Sequence, residues 1–496
     1  MSNDISEKTI NSKITTRAED FSQWYLDVIR EGDLLEQSPV RGCMVIKPYG
    51  YAIWERIQSI LDKKFKSLGV QNAYFPLLIP VSFLEKEAKH VEGFAKECAV
   101  VTHHRLEEKD GKLIPAGELD EPFVIRPTSE TIIYDTYSKW VHSYRDLPIL
   151  INQWCNVMRW ELRTRPFLRT VEFLWQEGHT VHETKEGADK NALEMIEVYK
   201  NFAEEYLAIS AVKGIKTEPE KFAGADYTTT IEAMMQDGKA LQAGTSHMLG
   251  QNFSKSFEVA FSDRNQQKQY AWQTSWGVST RIIGALIMSH SDDKGLVLPP
   301  KVAQFQVVII PIWGNDEEKA SVFDKVAKIK KELEAENITY KIDDRDGRPG
   351  PKFFEWERKG VPLRIEIGPK DVAKNSVVVV ERLQGKKDFV ADENLISFIK
   401  SGLENMQKTL LESSKNFRAN NTHEVADYAE FKKIVEDKPG FIYTHLCQDP
   451  ACEEKIKEET GASARCIPLD GGLDNDGNCI YCGKPATNKV LFAKAY

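Results

Sequence analysis

RWELRTRPFLRTVEFLWQEGH, residues 159–179, decides the fold. Arg159, Arg163, Arg165 and Arg169 crowd its first half, and the second half becomes a strand-like run of Phe173, Leu174, Trp175, Glu177 and His179. A solvated hairpin accounts for arginines in a turn, and plain core packing accounts for aromatics on a strand. One arrangement uses both. An arginine-bearing strand, a short loop and an aromatic strand make a nucleotide cleft. Arg159 on its floor would grip a phosphate through its planar fork. Arg169 would take a second phosphate, and Phe173 would offer its face to a purine. Alternation along the second strand puts Trp175, Glu177 and His179 on one face.

The rest of the chain gives this hairpin a large setting. At 496 residues it exceeds a single core and divides into about three domains. A net charge of −9 argues against a surface that grips nucleic acid throughout, DNA included, but leaves room for a local basic patch. The N-terminus has no apolar signal region, and no apolar run approaches the ~18 residues of a membrane helix. The expectation is a soluble, cytoplasmic protein. Cysteines stand singly at 43, 98 and 155, then cluster at 447, 452, 466, 479 and 482. Clustering at one end of a long chain points to a metal more than to disulfides.

Helical spacing marks Trp24, Tyr25, Val28 and Ile29, and then Ile53, Trp54, Ile57, Ile60, Leu61 and Phe65. Strand candidates follow at NAYFPLLIP (72–80), FVIRP (123–127), INQWCNVMRWE (151–161), EFLWQEGH (172–179) and SFEVAFSD (256–263). Strands outnumber the crossovers a doubly wound fold needs, so a mostly antiparallel sheet with packed helices fits better. LVLPPKVAQFQ (296–306) marks a boundary, after which strands and helices alternate as in a small α/β domain. The expected division is a loose tail at 1–18, a catalytic α+β domain at 19–300, an α/β domain at 301–405 and a small C-terminal α+β domain at 406–496.

With these segments in order, the chain resembles the prolyl-tRNA synthetases, class II aminoacyl-tRNA synthetases, of the archaeal and eukaryotic-like type. The likeness runs from about residue 19 to the last residue. Class II motif 1 is matched by the helix before Gly69 and the strand ending in FPLLIP, with Pro76 at the motif proline. Motif 2 is matched by Arg159, Trp160, Glu161, the loop to Thr170, and Phe173. Motif 3 is matched by SWGVSTRIIGALI (275–287), where Arg281 opens a helix. A proline after an apolar strand commonly just ends it, and an arginine among apolar helix residues commonly snorkels to the surface. Three such matches in order outweigh those readings. AGTSH, with one glycine and no following lysine, fails as a phosphate loop of the Walker type.

The resemblance implies ligation of proline to tRNA(Pro) by way of ATP with Mg²⁺. Arg159, Arg281 and Glu161 would be the catalytic set. Arg169, Thr170, Phe173, Gln242, Thr245 and Ser279 would join them around ATP. Thr128 and Glu130 of PTSE (127–130), with Arg159, Trp175, Glu177, His179, His247 and Ser275, would hold L-proline. A buried Glu177 without a partner would be costly, which points to a cationic ligand. Glycine, serine and threonine enzymes share the three motifs. A class II enzyme for another small amino acid, or a non-catalytic tRNA-binding relative, is therefore the rival reading.

The α/β domain resembles the family's anticodon-binding domain. Residues 347–370 hold six basic and three acidic residues, a local excess of three positive charges. Arg345, Lys352, Glu355 and Arg364 are the expected base contacts, and Phe353, Phe354 and Trp356 either stack on bases or pack inward. Cys447 and Cys452 are separated by four residues and Cys479 and Cys482 by two, two thiol pairs that suit tetrahedral Zn²⁺. No coordination position is left for water, so the metal would be structural. Cys466 matches a non-ligand position. A homodimer through motif 1 is expected, and Tyr496 should either fray or reach back toward the catalytic domain.

Overall fold

The computed structural model describes residues 13–88, 97–447, 449–469, 477–486 and 488–496. Helix α1 (Phe21–Glu31) is capped by Asp20, which accepts from the Ser22 and Gln23 amides, and it buries Trp24, Tyr25, Val28 and Ile29 on one stripe. Helix α2 (Pro48–Ser67) starts with proline at its first turn and buries Ile53, Trp54, Ile57, Leu61 and Phe65. Both stripes close over one face of the main sheet.

That sheet has eleven strands. Its catalytic part uses β1 (Gln71–Asn72), β2 (Ile149–Met158), β3 (Glu172–His182), β4 (Ala211–Ile215), β5 (Tyr227–Met234), β6 (Ala240–Gly250) and β7 (Trp272–Ser279). The spatial order β4-β5-β6-β7-β3-β2 is antiparallel throughout, and β1 pairs parallel at the edge. Helix α3 (Glu130–Trp140) follows the PTSE segment, α4 (Lys185–Glu205) crosses the back of the sheet, and α5 (Arg281–His290) is almost wholly buried.

Several expectations shift. NAYFPLLIP is strand only at its ends, in Gln71–Asn72 and Leu78–Pro80. Side chains satisfy the backbone between them. Arg126 donates to the Phe75 carbonyl at 2.8 Å, and the Phe75 amide donates to Gln153. SFEVAFSD keeps only Ala260–Ser262 as strand. The loose tail expected at 1–18 is too long. Ile14 is buried, the Thr15 amide donates to Asp27, and Arg17 pairs with Asp293. Residues 1–12 lie outside the described residues.

The α/β domain is a five-stranded mixed sheet among the described residues, Leu363–Ile367 at its centre with Val307–Pro311 beside it, backed by helices Asp316–Ala335 and Leu395–Asn420. The second helix runs straight through the boundary expected at 405/406. Its apolar stripe, Leu395, Ile399, Leu403, Met406 and Leu410, is continuous across that point.

The C-terminal domain does not stand apart either. Its strand Ser463–Pro468 pairs with β4 and so extends the catalytic sheet. A buried charge cluster locks the join. Glu232 on β5 accepts from Lys216 at 2.8 Å and from Arg465 of the C-terminal domain at 2.9 and 3.0 Å. Burial pushes the Glu232 carboxyl upward, and the two cations more than offset it. Tyr496 is anchored as well. Its hydroxyl donates to Asp237 and its amide to the Ala240 carbonyl.

Candidate active site

The site follows from strand register. Across the sheet, Gln153, Glu177, Gly277 and Thr245 stand side by side, and next to them run His179, Ser275, His247 and Thr228. Cross-strand neighbours share a face. The two rows therefore bring polar groups from four or five strands onto one floor. Gly277 leaves that floor without a side chain at its centre.

Above it lies a cavity of about 220 Å³. Thirteen of the expected residues line it: Thr128, Glu130, Arg159, Phe173, Trp175, Glu177, His179, Gln242, Thr245, His247, Ser275, Ser279 and Arg281. The alternation read from WQEGH holds, since Trp175, Glu177 and His179 all face the cavity while Gln176 turns to Tyr199 and Asn152 behind the sheet.

One end of the cavity is cationic. The Arg159 amide donates to Val171, closing the hairpin loop, and its Nε donates to the Pro127 carbonyl at 2.9 Å. Its guanidinium lies 5.6 Å from the Phe173 ring centroid and 5.3 Å from that of Trp175. Arg281 donates to the Leu168 carbonyl in the same loop. Burial, then the guanidiniums of Arg169, Arg159 and Arg465, pull Arg281 down to about 10. Like charges crowded this way suit a polyanion.

The other end is acidic. Glu130, Glu177 and His179 are 4%, 3% and 1% exposed. Glu177 is not without a partner, contrary to expectation. His179 Nε2 lies 3.0 Å from its Oε2, while Ser129 and Gln153 donate to its Oε1. Burial raises the Glu177 carboxyl, but these partners hold it below the usual range, and burial's downward pull on His179 is outweighed by the two acids. Burial, with Glu177 adding to it, pushes Glu130 up. The Ser275 hydroxyl is buried on the cavity floor with no partner among the described residues, a vacancy a ligand can fill.

Three expected residues stand just outside. Glu161 and Arg169 pair with each other at 3.7 Å on the hairpin loop. Thr170 lines a neighbouring cleft of about 240 Å³ with Leu35, Met44, Ile46 and Tyr51, and Phe173 is the wall common to both. Phe222 was not foreseen. Its ring lies 4.6 Å from that of His247, and it comes from a loop with no periodic signal.

Gly178 shows why WQEGH needs its glycine. A Cβ there would lie 2.2 Å from the buried Trp276 indole. Gly178→Ala is expected to cost roughly 1–3 kcal/mol by overpacking, read as a lowered thermal midpoint. An unchanged midpoint would show that the indole can yield.

Away from the cavity, Cys447, Cys452, Cys479 and Cys482 place their sulfurs within 4.8 Å of one another. The Cys447 sulfur lies 3.5 Å from that of Cys452 and 3.7 Å from that of Cys482, and a tetrahedral Zn–S length of about 2.3 Å requires about 3.8 Å. The cluster is compatible with structural zinc. Cys466 is buried elsewhere, against Leu491 and Phe441. In the α/β domain, Lys352 turns inward to the Asp343 and Arg345 carbonyls. Arg345 pairs with Asp343 and Glu355, Arg364 pairs with Glu366 and lies 4.4 Å from the Phe353 ring, and Trp356 is core. Phe354 is exposed.

Three family profiles match the chain: tRNA synthetase class II core domain (G, H, P, S and T) over residues 113–290, anticodon binding domain over 306–402, and prolyl-tRNA synthetase, C-terminal, over 428–496. The chain is 54% identical over 492 residues to a proline–tRNA ligase of Amoebophilus asiaticus, covering 98% of this chain and 100% of that protein. It is 56% identical to one of Parabacteroides distasonis, covering 98% and 99%. It is 54% identical to one of Bdellovibrio bacteriovorus, covering 97% and 98%.

Proposed function

The chain belongs to the proline–tRNA ligase family, and from that premise we propose how its cavity activates L-proline and passes it to tRNA(Pro). The observation that carries the reading is one cavity with a cationic end and a buried acidic end. A triphosphate suits the first, and a compact amino acid with a secondary ammonium suits the second.

In activation, the proline carboxylate attacks the α-phosphorus of ATP and pyrophosphate leaves. The protein's task is to position the reactants and neutralise charge. Arg159, between the two ends, meets the proline carboxylate and the α-phosphate, where charge builds up. Arg281 and Arg169 hold the outer phosphates, and Mg²⁺ carried with ATP supplies further charge neutralisation. Phe173 stacks on adenine, with Glu161 and Thr170 at the rim beside it. Gln242, Thr245 and Ser279 take the ribose and phosphates. Trp175 walls the proline ring, His247 and Ser275 line its floor, and Thr128 and Glu130 grip its ammonium. The terminal adenosine of tRNA(Pro) then takes the prolyl group from the adenylate.

The same reading assigns residues 13–300 to catalysis, the α/β sheet with the first half of helix Leu395–Asn420 to the anticodon, and the residues after that helix to a zinc-bearing C-terminal domain. Arg345, Glu355 and Arg364 are the anticodon candidates with polar heads near the surface, and Lys352 acts by holding that loop. A homodimer forms through motif 1, where Tyr51, Tyr74 and Leu78 are exposed apolar side chains. A ligase that serves translation works in the cytoplasm; no helix among the described residues is long and apolar enough to cross a membrane.

Cys447, Cys452, Cys479 and Cys482 would hold a structural Zn²⁺. The purified protein is expected to carry about one Zn²⁺ per chain, because a four-thiolate site is closed and tight. Cys479→Ser should lose the metal and loosen residues 420–496 to proteolysis. Metal analysis finding none in freshly purified wild-type protein would contradict the assignment.

The reading as a whole is tested by aminoacylation. Purified protein should charge a tRNA pool with labelled proline, and excess unlabelled transcript with the proline anticodon should compete. Charging with a different amino acid would overturn it.

A further inference from the structure

The two buried acids of the cavity are not equivalent. Glu177 carries its own counter-charge, since His179 Nε2 is 3.0 Å from its Oε2. Its other oxygen is saturated by Ser129, by Gln153 at 3.0 Å and by the Cys155 thiol at 3.4 Å. Glu130 has no such provision. It forms no ion pair among the described residues, and its side-chain partner is the Thr128 hydroxyl. It is nonetheless buried and faces the cavity.

Every charged or titratable group around Glu130 can be placed. From β3 come Glu177, which repels its charge, and His179, which attracts it. Arg159, after β2, senses both acids but bonds to the Pro127 carbonyl. From β2 comes Cys155, whose thiol burial keeps protonated. Tyr134 and Tyr137 lie on the helix that Glu130 begins. Tyr134 is bonded to His179 Nδ1, and Tyr137 donates to the His179 carbonyl and is kept protonated by burial. From β6 comes His247, which burial drives to about 3 and so keeps neutral. Two cations could serve Glu130: His179 is committed to Glu177, and Arg159, though it attracts Glu130, forms no ion pair with it among the described residues and is held through Nε to the Pro127 carbonyl. A buried carboxylate without a paired cation takes up a proton.

We propose that Glu130 is protonated in the empty cavity and releases that proton as the secondary ammonium of proline docks, while the Glu177–His179 pair stays ionised throughout. The balance is simple. The Glu130 O–H bond breaks, its proton goes to solvent, and the ammonium keeps both of its own. Glu130 is then the acid that senses the substrate's charge, and Glu177 is a positioning residue that orients His179, Ser129 and Gln153 around it. This rests on the reading that the cavity takes proline.

Calorimetry of proline binding to the full-length protein tests it, over a series of pH values starting where Glu130 is protonated when empty, each in two buffers of different ionisation enthalpy. The expected result is a heat that differs between buffers by an amount corresponding to about one proton released per proline. Glu130→Gln, titrated with enough proline to saturate its weakened site, should show none of that release. Independently, the wild-type dissociation constant should fall by about tenfold per unit of rising pH until Glu130 is ionised when empty, then level off. The KM of Glu130→Gln for proline, though raised, should be flat over the same range. Binding with no buffer dependence would overturn the proposal and leave the proline reading intact. Release that persists in Glu130→Gln, or a wild-type affinity independent of pH, would overturn it by assigning the proton elsewhere or nowhere. No binding of proline at all would instead overturn the reading beneath it.

Discussion

Arg159→Ala is expected to lower proline-dependent exchange of pyrophosphate into ATP by about 10²–10³-fold, the scale of losing one preorganised donor to developing charge. Its guanidinium is the group that stands between the cationic and acidic ends of the cavity, 5.3 Å from the Trp175 ring centroid. The fold should survive. The hairpin loop is held by the Arg159 amide to Val171, by reciprocal Arg165–Arg169 backbone bonds and by the Tyr25 hydroxyl on the Pro166 carbonyl. None of these uses the Arg159 side chain. Turnover close to wild type would remove Arg159 from the reaction and leave Arg281 and Arg169 to carry the charge.

Glu130→Gln carries the second large effect. Truncating one partner of a buried, hydrogen-bonded charge pair costs about 2–5 kcal/mol in binding, so KM for proline should rise by roughly 10²-fold. The KM for ATP should change little, because Glu130 lies at the acidic end, remote from Phe173 and Arg281 in the cavity's division of roles. Steady-state exchange kinetics with each substrate varied in turn separates the two. Equal rises in both constants would mean that the substitution disturbs the whole cavity and that Glu130 has no particular bond to the ammonium.

Much of this site was legible because strand periodicity is simple. Once EFLWQEGH is a strand, Trp175, Glu177 and His179 must share a face, and the structure puts all three in the cavity. The same rule held a signal that was passed over. Glu177 and His179 are two residues apart on that face, close enough to neutralise each other, and they do. The step from a buried Glu177 to a cationic ligand loses its force for that reason, since His179 already supplies the counter-charge. Phe222 carried no such signal, since a loop has no period. NAYFPLLIP looked like a strand because it is apolar, but pairing in its middle is replaced by bonds from Arg126 and Gln153, which lie tens of residues away in sequence. The boundary at 405/406 was misplaced because a change of domain need not interrupt a helix, and the stripe from Leu395 to Leu410 serves two neighbours in turn. The join between β4 and Ser463–Pro468 depends on pairing across more than two hundred residues, which no local pattern announces.

The central claim is that one cavity couples a triphosphate to proline and to no other amino acid as well. Exchange of labelled pyrophosphate into ATP, with wild-type protein and each standard amino acid supplied in turn, tests it without tRNA. The account predicts rapid exchange with proline, at least about tenfold above any other amino acid, and almost none without one. Exchange driven best by glycine, serine or threonine, or absent with all of them from folded, metal-replete protein, would contradict it.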